Sequence, residues 1–210
     1  MQTVLQQYYF KFYKMILSNQ LLLSVLAQLV TLQLVIAQAN YKAIPTTVDA
    51  TTLSGTSSLH DWTMHAQSIV GNGQFTTSGK KLEQVNKLSL LLKVRDLKSK
   101  EKMMDNNAYK ALKADQFKNI TFELTSATVG QLENSKYPVT ANGNLSIAGV
   151  TRKVTMVVWC EVMGDKSIAC SGKEKLKMTD YQVKPPTFFF GEMKTGDELT
   201  LDFNLVFQNL

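Results

Sequence analysis

Histidine is nearly missing from this 210-residue chain: there are two, His60 and His65. A zinc site wants three or four protein ligands, and no further candidates cluster with this pair. Five residues apart on a strand, the two rings would face opposite ways. Hydrogen bonding by His60 and Asp61 at the start of a strand accounts for them without a metal. Ser57 and Ser58 precede His60, but no G-x-S-x-G and no strand-turn-helix setting surrounds them. A glycine-rich phosphate loop is absent, and Asp180, Glu192 and Asp197 read as loop acids. Catalysis is left without a constellation, and neither cofactor nor metal is expected.

Cysteine is as scarce, with only Cys160 and Cys170. A lipid-modified N-terminal cysteine is therefore excluded. Acidic residues are absent from positions 1–39, where Lys11 and Lys14 precede a largely apolar run from Met15 to Ala37. That run is interrupted by Ser18, Asn19, Gln20, Gln28 and Gln33, and Ala37-Gln38-Ala39 supplies an A-x-A cleavage pattern. Residues 1–39 read as a secretory signal peptide, starting at Met1 or Met15. The competing reading is a membrane anchor, which the polar interruptions and the A-x-A site disfavour. Residues 40–210 then form the mature domain, periplasmic or extracellular. The net charge of +6 drops by two lysines on cleavage, and a mildly basic domain needs no nucleic-acid partner. Lys173-Glu174-Lys175-Leu176-Lys177 reads as the solvated face of a strand.

What the sequence has in abundance is period-2 alternation. Val139, Ala141, Gly143, Leu145 and Ile147 alternate with more polar neighbours, and Val154, Met156, Val158, Cys160 and Val162 do so again. Ala148-Gly149-Val150 lies between, with Gly149 suited to a positive φ, so the stretch reads as a hairpin. Trp62, Met64 and Ala66 share one face. Leu88, Leu90, Leu92 and Val94 repeat the pattern, as do Ile120, Phe122 and Leu124, and finally Leu199 to Phe207. One helical face interrupts it: Met104, Ala108, Ala111 and Leu112, with Asp105 as a candidate N-cap for a helix over 106–113. About eight to ten strands joined in sequence by turns, with one short helix, predict an all-β antiparallel barrel or sandwich.

With those stretches in place, the chain resembles the YceI-like polyisoprenoid-binding family. The matching residues are GTSSLHDW (Gly55 to Trp62), Leu97 to Phe117 leading into ITFEL, GNLSIAGVTRKV (Gly143 to Val154) and the tail Lys175 to Phe207. Lys118 stands where relatives often carry proline, which affects a loop. The resemblance implies a lipocalin-like antiparallel barrel and a binding or carrier role without catalytic residues. Its ligand would be a long-chain apolar lipid of isoprenoid, quinone or fatty acyl type. Inward-facing candidates are Trp62, Met64, Leu90, Leu92, Phe122, Leu145, Met156 and Val158. A filled core would show the same residues, so a non-catalytic interaction module with a solid barrel stays open as the alternative. Phe188, Phe189 and Phe190, between Pro185-Pro186 and Gly191, are candidates for a cap at the mouth or a partner contact. Membrane contact is expected to be transient, and nothing in the sequence sets the oligomeric state.

If the turn after Val162 centres on Asp165, Val162 faces Ile168 and Cys160 faces Cys170. Opposed residues in an antiparallel pair lie about 4.5–5.5 Å apart at Cα, which a disulfide accepts. The pair is expected to be bridged in an oxidising compartment, the alternative being two buried thiols.

Overall fold

The computed structural model describes residues 38–44, 50–188 and 192–210. The apolar N-terminal run, Ala37 of the A-x-A pattern, Phe189 and Phe190 lie outside the described residues, as does the side chain of Phe188.

The described chain is a meander. Its strands are β1 (Gln38–Ile44), β2 (Thr51–Ser57), β3 (Trp62–Ala66), β4 (Ile69–Ser78), β5 (Lys81–Lys93) and β6 (Leu97–Lys98). The helix α1 (Lys102–Ala111) follows, then β7 (Asn119–Val129), β8 (Tyr137–Ile147), β9 (Val150–Val162), β10 (Ile168–Lys177), β11 (Thr187–Phe188) and β12 (Met193–Asn209). Pairing is antiparallel throughout, and β1, β4, β5, β7, β8, β9, β10 and β12 form a closed eight-stranded barrel. Closure removes the unpaired edges that an open sheet would expose.

Two staves of this barrel are each made from a pair of strands. Strand β12 pairs β1 near its C-terminus, from Val206↔Ile44 to Asn209↔Tyr41, and β2 along its earlier part, from Thr195↔Ser57 to Phe203↔Thr51. On the other side, β1 pairs β4 and β2 pairs β3. Only Gln67 and Ser68 separate β3 from β4, and the Gln67 N–H donates to the Asp96 carbonyl at 2.8 Å. The local alternation of the sequence shows here as the burial of Met64 and Ala66 beside exposed Thr63.

One end of the barrel is solid. Tyr41, Phe75 and Phe207, each about 1% exposed, stack with ring centroids 5.1 and 5.2 Å apart. Leu82, Val85, Tyr137, Val162 and Ile168 complete this plug. Aromatic pairs of this kind add roughly 0.5–1.5 kcal/mol to their area burial.

The hairpin at the centre of the sequence turns through two residues, since Ile147 already pairs Val150. Ala148 and Gly149 take φ of 50° and 83°, the doubly left-handed geometry that matches strand twist. A Cβ on Gly149 would run into the Phe117 ring. The turn after Val162 gives Cys160↔Cys170, and the two form a disulfide across β9 and β10 with Cα atoms 4.2 Å apart.

The helix starts earlier than its sequence suggests. It runs from Lys102, with Glu101 at the N-cap position, so Asp105 is not the cap but a residue of the first turn. Asp105 is buried and accepts hydrogen bonds from the Ser99 N–H at 2.7 Å and the Ser99 hydroxyl at 2.8 Å. The Tyr109 hydroxyl lies 2.8 Å from the Leu97 carbonyl and 3.0 Å from that of Arg95, sharing its proton between them. These bonds fasten one side of α1 to the β5–β6 connection and leave the side with Met104 and Ala108 facing the barrel.

Candidate functional site

Above the aromatic plug the barrel is hollow. A cavity of about 830 Å³ runs from Phe75, Phe207 and the Cys160–Cys170 pair to the opposite end, beneath α1 and the β2–β3 turn. Small-molecule sites usually occupy about 300–1,000 Å³, so this one is large. Strand β9 has 13 residues, and at about 3.3 Å per residue and a tilt near 40° such a strand covers roughly 30 Å of barrel axis.

The inward residues divide by environment. Val139, Val158 and Leu205 are buried, whereas Leu88, Leu90, Leu92, Leu124 and Met156 keep intermediate exposure although they line the interior. These side chains pack against the buried clusters along one side and face the free space of the bore along the other. All eight inward candidates, Trp62, Met64, Leu90, Leu92, Phe122, Leu145, Met156 and Val158, line this one cavity. Met193 and Phe203 line it too. Most of the polar lining is at the open end, with Ser57 and His60 on the β2–β3 turn and Glu101, Asn106, Asn107 and Lys110 at α1, while Thr51 and Thr52 line the bore lower on β2.

Glycine keeps the bore open. A Cβ on Gly172 would lie 2.6 Å from Phe203 Cζ, and one on Gly55 would lie 2.5 Å from Trp62 Cζ2. Phe122 covers Gly143 in the same way. Each ring therefore lies against a bare stretch of backbone, close to the wall, where it contributes apolar surface without crossing the lumen. Sequence reasoning marked Trp62 and Phe122 but not the glycines beneath them. A glycine in a strand reads only as a weak position, and its partner is known once the register is.

The wall has one irregular seam. Pairing of β9 with β10 extends only from Val162↔Ile168 to Val158↔Gly172. Beyond Gly172, β10 stays paired to β12, while β9 stays paired to β8. A 3₁₀ turn, Thr179–Tyr181, lies against β9 here, with the Arg152 Nε–H donating to the Asp180 carbonyl at 2.8 Å. Tyr181 is buried in the cluster that includes Leu145, Val154, Met156 and Leu176. Desolvation raises its hydroxyl above the usual tyrosine range. Asp197 holds the turn by accepting from the Thr179 N–H at 2.9 Å and the Thr179 hydroxyl at 2.6 Å, bonds that lower its carboxyl.

The charged run after Gly172 is half as expected. Lys173 and Lys175 are exposed and face Asp202 and Glu198 at 3.6 and 2.8 Å. Glu174 instead shares the inner parity of Cys170 and Leu176, and burial raises its carboxyl above the ordinary range. Among the described residues no three His, Cys, Asp or Glu side chains gather to hold a metal, and no helix is long and apolar enough to cross a membrane. His60 sits on the exposed β2–β3 turn, its Nδ1 2.8 Å from the Asp61 carbonyl, while Ser57 Oγ donates to the His60 carbonyl.

Residues 35–207 match the family model of the YceI-like domain. The chain belongs to the YceI-like domain family. No curated protein matches it. Among solved structures, the YceI-like chain is similar to a polyisoprenoid binding domain from Saccharophagus degradans. That likeness has 12% identity and a TM-score of 0.59, covering 83% of this chain and all of the other. It is also similar to Burkholderia cenocepacia BcnA, with 18% identity and a TM-score of 0.56, over 74% of this chain and 95% of the other. A mutant CJ YceI protein with a monobromobimane guest gives 19% identity and 0.53, over 70% and 84%. At these identities the likeness is one of fold. YceI-like membership and the closed barrel agree with the resemblance read from the sequence.

Proposed function

We propose that this YceI-like protein is a binding or carrier protein whose bore holds the apolar tail of one long-chain lipid, an isoprenoid or a related amphiphile. The observation that carries this reading is the apolar cavity of about 830 Å³, closed at one end and polar chiefly at its mouth. A solid interaction module would fill that space with side chains. The Saccharophagus degradans relative, described as a polyisoprenoid binding domain, supports an isoprenoid-like tail over other apolar ligands. Each methylene moved from water into the bore contributes about 0.8 kcal/mol, so a long tail binds firmly without polar contacts along its length. The head group would rest at the rim near Asn106, Asn107 and Lys110.

Export with cleavage after Ala39 belongs to the same proposal. Gln38 and Ala39 lie in β1, paired to Thr76 and Phe75, so removing them would shorten that strand. Intact-mass measurement of the protein from its producing cell fixes the N-terminus. Native mass spectrometry of the same material, followed by organic extraction, tests the carrier reading. An isoprenoid, quinone or acyl lipid released in a one-to-one ratio is expected. Protein that arrives empty and takes up none of these on incubation would overturn it.

A further inference from the structure

We propose that the open end of the barrel docks on an anionic lipid bilayer, inserting Leu59 and Met103. Among the described residues these are the two large apolar side chains that both line the cavity and stand in solvent, at 65% and 66% exposure. One sits at the tip of the β2–β3 turn and the other in the first turn of α1. Exposed apolar side chains there give nothing to a soluble barrel and fit a surface into which they can dip.

The charge around them points to the same partner. Lys100, Lys102 and Lys110 surround Met103 in sequence and are exposed, and Lys98 projects from β6 beside the helix. Lys194 lies next to Leu59: the Ser58 N–H donates to the Lys194 carbonyl at 2.9 Å, and the Lys194 N–H to Ser58 Oγ at 3.0 Å. Lys184 and Lys177 complete the basic side, and Lys177 lines the cavity itself. The acids of this end are Asp61, Glu101, Asp180 and Glu192, together with Asp105, 3.8 Å from Lys98, and Asp197, hydrogen-bonded to Thr179, so the lysines outnumber them slightly. At the plugged end the signs balance. Lys80 and Lys81 are offset by Glu83 and Glu161, and Lys136 and Lys166 by Glu133 and Asp165. This end therefore carries a slight positive excess around the two protruding apolar groups, where the plugged end carries none. A bilayer rich in anionic head groups complements both features. Docking here also lets an apolar tail pass between membrane and bore without crossing water, the one point at which the inference rests on the carrier reading.

The test is co-sedimentation of the protein purified from its producing cell, with its N-terminus fixed by mass, on phosphatidylglycerol–phosphatidylcholine and pure phosphatidylcholine vesicles. The wild type should bind the anionic vesicles about tenfold more tightly, with binding weakened by salt. Leu59→Asp/Met103→Asp should lose about tenfold, while Leu132→Asp/Met163→Asp, at exposed positions of the plugged end, should lose nothing. A dye on Leu59→Cys read against nitroxide-bearing lipids reports insertion at the mouth without any charge change. Equal binding to both vesicle types, equal loss in the two double variants, or an unquenched dye overturns the docking site. Lipid retention is measured on the same preparation in free solution. Protein that retains its lipid but ignores vesicles sinks only the docking inference, and empty protein that still binds anionic vesicles sinks only the carrier reading.

Discussion

Ala141→Phe separates a hollow barrel from a filled one. Ala141 lies midway along β8, opposite Met156, and lines the cavity while being only 6% exposed. In a filled core the added ring would be overpacked, costing about 1–3 kcal/mol. Here the ring enters free space within a cavity of about 830 Å³, where its apolar surface gains burial. Stability of the empty protein should therefore hold or rise, with no loss beyond roughly 0.5 kcal/mol. The lipid should suffer instead. If the ring takes the place of about four methylenes, the complex loses about 3 kcal/mol at ~0.8 kcal/mol each, or on the order of a hundredfold in affinity. Because the obstruction lies mid-bore, shorter chains that stop above it should be spared, and the extracted lipids should shift to shorter tails. Chemical denaturation of the delipidated protein gives the first quantity, and competition between chains of graded length gives the second. A loss of about 2 kcal/mol or more in stability, with retention of long chains unchanged, would refute both the open bore and the placement of the ligand within it.

Gly172→Ala should swing the Phe203 ring off the wall, lowering long-chain affinity while leaving the barrel folded; unchanged binding with an unshifted ring would dismiss the glycine–ring argument. Glu174→Gln should raise the melting temperature at pH 7 and leave it unchanged near pH 3. The folded carboxyl titrates above its ordinary value because it is buried, so its charge costs stability above that window, whereas below it Glu is protonated in folded and unfolded chains alike. A gain persisting at low pH would rule out desolvation of the charge as the cause. Cys160→Ala/Cys170→Ala opens a link spanning 10 residues and should cost about 2–4 kcal/mol, read by urea denaturation; an unchanged midpoint would show that the β9–β10 pairing is held without it. Phe75→Ala at the plug should cost about 3–5 kcal/mol, and a cost under about 1 kcal/mol would mean that this end relaxes around the gap.

The alternation in the sequence was enough to place Trp62, Met64, Leu90, Phe122, Leu145 and Met156 on one common surface, and the spacing about Asp165 set Cys160 against Cys170. Both depend on local geometry, which a strand dictates. Joining β1 to β2 and β3 to β4 as bent staves was beyond reach, because alternation says which side chains share a face and not where a strand changes partner. Hollowness was equally hidden: Leu88 and Leu90 have the same pattern whether their tips meet other side chains or empty space. Asp105 misled by residue type, since aspartate favours the N-cap; its hydrogen bonds to Ser99, six residues back, outweigh that preference. Glu174 was hidden among lysines whose alternation suggested a wholly solvated face.

The closure of the barrel by β12 sets the order in which the fold can complete itself. The other neighbouring staves pair segments no more than about 40 residues apart, as in Gln38↔Thr76 and Ile168↔Phe207, so those pairings can form earlier. The partners of Phe203 and Phe207 are different, because Thr51 pairs Phe203 and Ala43 pairs Phe207 across most of the chain length. Contacts of such high sequence separation form late, since loop closure must be met first. Until then the nascent sheet presents two raw edges and an exposed apolar inner face, the form most open to aggregation. A chain cut before Met193 would not be a slightly smaller barrel but an open ribbon arrested at that stage, and a bulky fusion at Leu210 would burden the step that closes the barrel.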